Sequence, residues 1–109
     1  MVGYKVFTPE WTAVCGKGGR ANPFQYHVGE VYEQEEPPIA RRTGFHFCKN
    51  LTDCFRYYEV KVRNRIAELE ILGEVSVSGD ACATNKMRIV REIPWREAVE
   101  IAEKQMRGE

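Results

Sequence analysis

Residues 66–77, with the sequence IAELEILGEVSV, carry the clearest strand pattern in the chain. Apolar side chains alternate there with glutamates and a serine, which is the period of a β-strand with one core face and one wet, acidic face. Gly73 interrupts this pattern and predicts a bulge or a bend that curves the strand. A second alternating segment, residues 86–93, follows a small-residue loop that we predict at 78–85. We expect the two segments to pair antiparallel, with glutamates opposite basic residues.

Shorter patterns complete the predicted fold. Three further segments have the composition of strands, and they are residues 4–8, 24–33 and 44–48. Apolar residues spaced three and four apart predict one helix over 51–58, capped by Asn50, and another over 95–106. Together these elements predict an α+β fold, with a curved, mostly antiparallel sheet and two short helices packed on one of its faces. We expect a single domain over residues 1–109.

Composition excludes several classes of protein. The 109 residues carry 16 Lys and Arg against 16 Asp and Glu, so the net charge is zero and a dedicated nucleic-acid binder is not expected. No apolar run approaches the roughly 18 residues that span a bilayer. The first five residues lack the apolar core of a signal peptide, and we therefore expect a cytoplasmic protein that does not bind membranes.

Four cysteines, at positions 15, 48, 54 and 82, lack the C-x-x-C spacing of zinc ribbons and thioredoxin-like pairs. His46 and Cys48, together with Cys54, would supply three metal ligands, but no residue is an obvious fourth. We interpret Cys54 instead as a small apolar residue packed in the first helix. His46 and Cys48 are also the one candidate base and nucleophile, but their strand looks half buried. We predict no metal site, no cofactor and no catalytic residue.

Basic and aromatic residues are concentrated between Arg41 and Arg65, a segment that contains seven basic and two acidic residues. Acidic residues dominate the preceding segment, 30–36. Separate charged patches orient a protein on a complementary protein surface. We therefore predict a partner-binding surface formed by Arg41, Arg42, Arg56, Tyr57, Lys61, Arg63 and Arg65. The same residue types would suit a single-stranded nucleic acid, which is the alternative partner for this stretch.

Four motifs carry a resemblance that covers nearly the whole chain. They are Lys5 at the head of the first strand, F-Q-Y-x-V-G-x-x-Y-E at 24–33, G-F-H-F-C at 44–48 with its following helix, and G-D-x-x-x-T-N-K-x-x-I at 79–89. In these motifs the chain resembles a small family of phage and prophage proteins, largely labelled as a domain of unknown function. It is also similar to small type II anti-CRISPR proteins. The resemblance implies a non-enzymatic inhibitor in the cytoplasm of the host cell, which occupies the surface of a type II CRISPR effector nuclease.

A more distant similarity connects the strand at 44–48 and its helix with ADP-ribosyltransferases, which frame nicotinamide with a G-x-Y-F segment and a downstream tyrosine. It implies an NAD cleft lined by His46, Phe47 and Tyr57. His27 and Glu92 would take the places of the upstream histidine and the catalytic glutamate. The chain is short for that fold, and its upstream motif departs from H-G-[ST]. An enzyme that modifies a host protein is therefore the alternative function.

Overall fold

The computed structural model describes residues 1–13, 24–57 and 63–108, without the side chains of residues 56 and 57. These residues form seven strands and two helices. In chain order they are β1 (Val2–Phe7), β2 (Val31–Glu33), β3 (Phe45–Phe47), α1 (Leu51–Tyr57), β4 (Arg65–Ile71), β5 (Val75–Ser78), β6 (Ala81–Thr84), β7 (Lys86–Glu92) and α2 (Trp95–Met106). None of the helices in the described ranges has the length and apolar character to cross a membrane.

The strands make two antiparallel sheets, one of four strands in the order β1-β4-β7-β2 and one of three in the order β3-β6-β5. Leu51 and Cys54 of α1 and Ala98 of α2 pack with Val6 and Ile66 on one face of the four-stranded sheet. The predicted α+β class, with antiparallel strands and two helices on one face, is therefore confirmed. The sequence patterns did not reveal that the strands divide into two sheets.

The division occurs at Gly73, inside the stretch that we predicted as one curved strand. β4 ends before it and joins the four-stranded sheet, whereas β5 begins after it in the three-stranded sheet. A Cβ atom at Gly73 would collide with Asn85 Oδ1, which accepts a hydrogen bond from the Glu74 N–H at 2.8 Å. The close approach of Asn85 thus requires glycine at the bend, and one strand becomes two.

The prediction of a loop over 78–85 was wrong, because β6 occupies four of these residues and Ser78 belongs to β5. Cys82, Ala83 and Thr84 are buried, since β6 lies between β3 and β5 at the centre of its sheet. A central strand that is covered on both faces does not need alternation of apolar and polar residues. Its small side chains therefore resembled a loop.

The predicted pairing of 66–77 with 86–93 is confirmed for β4 and β7. Glu70 lies opposite Arg88, and their charged groups are 3.2 Å apart. Arg91 of β7 is 3.3 Å from Glu68 of β4 and 2.6 Å from Glu97 of α2. This bridge joins the helix layer to the sheet.

The second face of the four-stranded sheet packs against the three-stranded sheet. Phe7 and Leu69 of the larger sheet share one buried cluster with Phe45 and Phe47 of the smaller. A Cβ atom at Gly3 would lie 2.6 Å from Phe47 Cδ2, so the absence of a side chain at Gly3 lets the two sheets approach closely. The functional groups described next lie on this side of the molecule.

Candidate binding site

A cleft of about 880 Å³ is bordered by both sheets. Its described walls include residues of β1, β3 and β6, and its rim includes the segments 33–36 and 41–44. A concave site with a few convergent polar groups is the usual form of a binding site. Three ionisable residues on its walls, Lys5, His46 and Cys48, are buried or half-buried.

Lys5 is the most deeply buried charged residue on the cleft wall, with 7% of its surface exposed. It pairs with Ala67 on the face of β1 that the second sheet covers. Its ammonium donates a hydrogen bond to the His46 carbonyl oxygen at 2.6 Å and lies 5.8 Å from the centre of the Phe7 ring. A buried ammonium is costly without such polar contacts. We noted Lys5 only as a motif position, since a single strand pattern does not show that both of its faces are covered.

His46 is the half-buried imidazole of β3, and its Nε2 accepts the Arg41 backbone N–H at 2.9 Å. Burial lowers the pKa of His46, and the charge of Lys5 lowers it further, while a hydrogen bond with the Gly44 backbone acts in the opposite direction. Because Nε2 is an acceptor, the ring is neutral and carries its proton on Nδ1. The residue that we considered as a base thus anchors a loop in this structure.

That loop is the turn at residues 39–43, which we call the 39–43 turn. Every backbone N–H in it donates a hydrogen bond. The acceptors are Thr43 O for Ile39, Ser76 Oγ for Ala40, His46 Nε2 for Arg41, and Ile39 O for Arg42 and Thr43, each at 2.9 Å. Arg41 has a φ of 71°, a left-handed conformation that non-glycine residues adopt at an energetic cost. The surrounding hydrogen bonds hold that conformation.

The 39–43 turn presents three exposed side chains, those of Ile39, Arg41 and Arg42. The Arg41 guanidinium also donates to Ser78, with Nε 3.3 Å from the hydroxyl and Nη2 3.4 Å from the carbonyl oxygen. Glutamates at 33, 35 and 36 line the same cleft as the two arginines. Acidic and basic groups therefore meet on one rim and do not form two separate patches there.

The structure gives another predicted surface residue, Arg65, a different set of neighbours. Its Nε donates to the Pro9 carbonyl oxygen at 3.1 Å, its guanidinium lies 3.2 Å from Glu92, and it stands 5.9 Å from the centre of the Trp11 ring. None of these contacts involves the 39–43 turn. Arg65 thus connects elements of the fold at the end of β1.

The remaining predicted surface residues are described only in part. Arg63 is exposed, immediately before β4. Arg56 and Tyr57 belong to the last turn of α1, but their side chains lie outside the described part, as does all of Lys61. Of the seven predicted residues, the structure brings together Arg41 and Arg42.

The residues that an ADP-ribosyltransferase would need are dispersed. His46 and Phe47 line the cleft. His27 is exposed and is not one of the lining residues, and Glu92 pairs with Arg65. Within the described ranges, no group of three or more His, Cys, Asp or Glu side chains could hold a metal ion. Cys54 is fully buried in the helix cluster, as we interpreted it.

A family model described as "Domain of unknown function (DUF7666)" matches residues 1–101 of the chain. No curated protein and no solved structure matches the chain. The function must therefore be inferred from the geometry of the site.

Proposed function

The chain belongs to the DUF7666 family, and we propose that it is a small binding protein that inhibits a partner protein by occupying its surface. The 39–43 turn is the centre of the proposed contact. One observation carries this proposal: all five backbone N–H groups of the turn are hydrogen-bonded while three of its side chains project to the outside. Such a turn can be bound without first being ordered.

Rigidity matters because association must offset the entropy of the loops that it orders. Residues 39–43 form a closed turn that is tied to β5 through Ser76 and to β3 through His46. Arginine is among the residue types that contribute most at protein interfaces, and Ile39, with 47% of its surface exposed, adds apolar area between charged groups. The turn therefore combines a fixed shape with suitable side chains.

The charges around the cleft favour a protein partner over a nucleic acid. A negatively charged phosphate backbone is attracted to a positively charged surface. In this cleft, glutamates 33, 35 and 36 lie beside Arg41 and Arg42. A mixed surface of this kind complements another mixed protein surface and fixes the orientation of the complex.

For the partner, we propose the effector nuclease of a type II CRISPR system, in line with the similarity of the motifs to phage proteins and anti-CRISPR proteins. The test is a panel of purified type II effectors, assayed for binding and for cleavage of target DNA. We expect stoichiometric inhibition, complete once the protein equals the nuclease in concentration. Failure to bind any effector of the panel would contradict this partner.

A charge reversal at Arg42 tests the turn itself. Arg42 is exposed, so Arg42→Glu should leave the free energy of unfolding nearly unchanged. If the arginine is an interface hot spot, the complex should weaken by about 2 kcal/mol or more. The double variant Arg41→Glu with Arg42→Glu should weaken it further, because Arg41 is on the same turn.

The matched control is Arg96→Glu, the same charge change at an exposed position of α2. This variant should bind and inhibit like the unmodified protein. Full inhibition by a folded double variant would show that the turn is not the contact, and the segment 30–36 would then be the next to mutate.

A further inference from the structure

Two buried thiols, those of Cys48 and Cys54, belong to one cluster at the edge of the cleft. We propose that they form an oxidisable dithiol, which hydrogen peroxide converts into a disulfide between the end of β3 and helix α1. This modification site is independent of the partner-binding function proposed above.

The backbone of Tyr4 holds both cysteines in place. Its carbonyl oxygen accepts the Cys48 N–H at 2.9 Å, and Cys54 Sγ lies 3.5 Å from the same oxygen. Both side chains belong to one buried cluster. A disulfide requires the sulfurs to approach to about 2.05 Å. Because both cysteines contact the same carbonyl oxygen and pack in one cluster, we expect side-chain rotation with a small adjustment of α1 to bring the sulfurs this close.

The two thiols differ in pKa, as disulfide formation between an attacking thiol and a resolving thiol requires. The hydrogen bond from Cys54 lowers the pKa of Cys48, and the nearby Lys5 ammonium lowers it further, although burial opposes both. The pKa of Cys54 is raised, because the hydrogen bond favours its protonated form and because it is buried. Cys48 is therefore the thiol that ionises and attacks, and Cys54 is the thiol that resolves.

The cleft gives an oxidant access to Cys48 and not to Cys54. Cys48 lines the cleft, so a molecule as small as hydrogen peroxide can reach it from there. Cys54 is fully buried and is not among the cleft residues. Cys82 also lines the cleft, but burial raises its pKa, which leaves less of the reactive thiolate.

The reaction balances in two steps. The Cys48 thiolate attacks one peroxide oxygen, the O–O bond breaks, and the products are a sulfenic acid and a hydroxide ion, which becomes water with a proton from solvent. The Cys54 sulfur then attacks the Cys48 sulfur, the S–O bond breaks, and the hydroxyl group leaves as water with the Cys54 proton. Two thiols and one peroxide thus give one disulfide and two waters.

The test starts from the reduced full-length protein. It is treated with hydrogen peroxide, unfolded, alkylated at its remaining thiols and analysed by peptide mass spectrometry. We expect the number of alkylated cysteines to fall from four to two and the new cross-link to join Cys48 and Cys54. A thiol reductant should restore all four. Cross-links to Cys15 or Cys82 instead, or no loss of thiols at peroxide levels that oxidise free cysteine, would overturn the proposal.

Variants separate the two roles. In Cys54→Ser the resolving thiol is absent, so peroxide should leave a Cys48 sulfenic acid that a dimedone probe labels. In Cys48→Ser neither disulfide nor label should form. The matched control is Cys82→Ser, which removes the other buried thiol of the cleft and should still give the Cys48–Cys54 link. The cross-link in the unmodified protein decides the question even if a variant fails to fold.

Discussion

The two faces of the four-stranded sheet differ in the residues that they bury. The face toward the helices buries aliphatic and small residues such as Val6, Ile66 and Ala98, and its charges, such as Arg91, are paired near the surface. The face toward the second sheet buries large aromatic rings, but it also holds the ammonium of Lys5 inside. The face toward the helices is therefore an apolar layer, whereas the face toward the second sheet places a buried charge next to the core.

This difference between the two faces indicates where the functional residues of the domain lie. Buried polar groups cost free energy and persist where the fold uses them. Here they hold the 39–43 turn and border the cleft, while the helix side contributes stability.

The largest effect should come from the aromatic core between the sheets. Phe7 is fully buried against Trp11 and Tyr26, so Phe7→Ala should lower the free energy of unfolding by about 3–5 kcal/mol. Phe55 of α1 is the matched control on the helix side. It is only half-buried, stacked on Trp95 with ring centres 6.1 Å apart, and Phe55→Ala should cost clearly less. Urea unfolding of both variants measures the difference, and equal losses would remove this part of the contrast.

How far the sequence predicts the fold differs between the two sides in the same way. β4, β7 and α2 were predictable, because apolar and polar residues alternate along most of each element with a clear period. Helix α2 spans Trp95–Met106, the range that its apolar spacing predicts. β6 was missed, since a strand buried on both faces between two others has no period to detect.

The candidate site was predictable only in part. Composition identified Arg41 and Arg42 as exposed basic residues. The hydrogen bonds that shape their turn come from His46 and from Ser76, 36 positions after Ala40, and no local pattern contains such a contact. The burial of Lys5 likewise depends on the second sheet, which forms only because the chain bends at Gly73. Tertiary packing, rather than local preference, decides these features.

A second prediction concerns the close approach of the two sheets at Gly3. In Gly3→Ala the new methyl group would lie 2.6 Å from the buried Phe47 ring, so the sheets must separate or the ring must move. Overpacking of this kind costs about 1–3 kcal/mol. The double variant Gly3→Ala with Phe47→Leu removes the ring that the methyl group meets. Its loss on urea unfolding should be smaller than the sum of the two single losses, and simple additivity would contradict the clash.

The third prediction is a pH dependence that His46 contributes on the sheet side. The pKa of His46 is below its ordinary value of 6.5 in the folded protein, so the unfolded chain takes up a proton first as the pH falls. The contribution of His46 to stability is therefore complete above about pH 6.5 and declines from there down to the pKa of the folded state. Protonation also removes the acceptor for the Arg41 N–H, which should loosen the 39–43 turn.

His46→Gln tests this prediction, because a glutamine oxygen can accept the same N–H without titrating. The variant should lose the decline in unfolding free energy below pH 6.5. The control is His27→Gln at the other histidine, which is exposed and outside the cleft lining, and it should retain the decline. A decline that survives in His46→Gln would assign it to another group.

The smallest effect should come from the charged bridge on the helix side. The two terminal nitrogens of the Arg91 guanidinium contact Glu97, at 2.9 and 2.6 Å, and this pairing lowers the pKa of the Glu97 carboxyl. Yet the Arg91 side chain is 41% exposed, and water and salt screen such pairs. Arg91→Gln should therefore lower the unfolding free energy less than Phe7→Ala or Gly3→Ala does, and its difference from the unmodified protein should shrink in high salt. A loss comparable to that of Phe7→Ala, or one insensitive to salt, would show that the helix face depends on its charges as the sheet face depends on its buried polar groups.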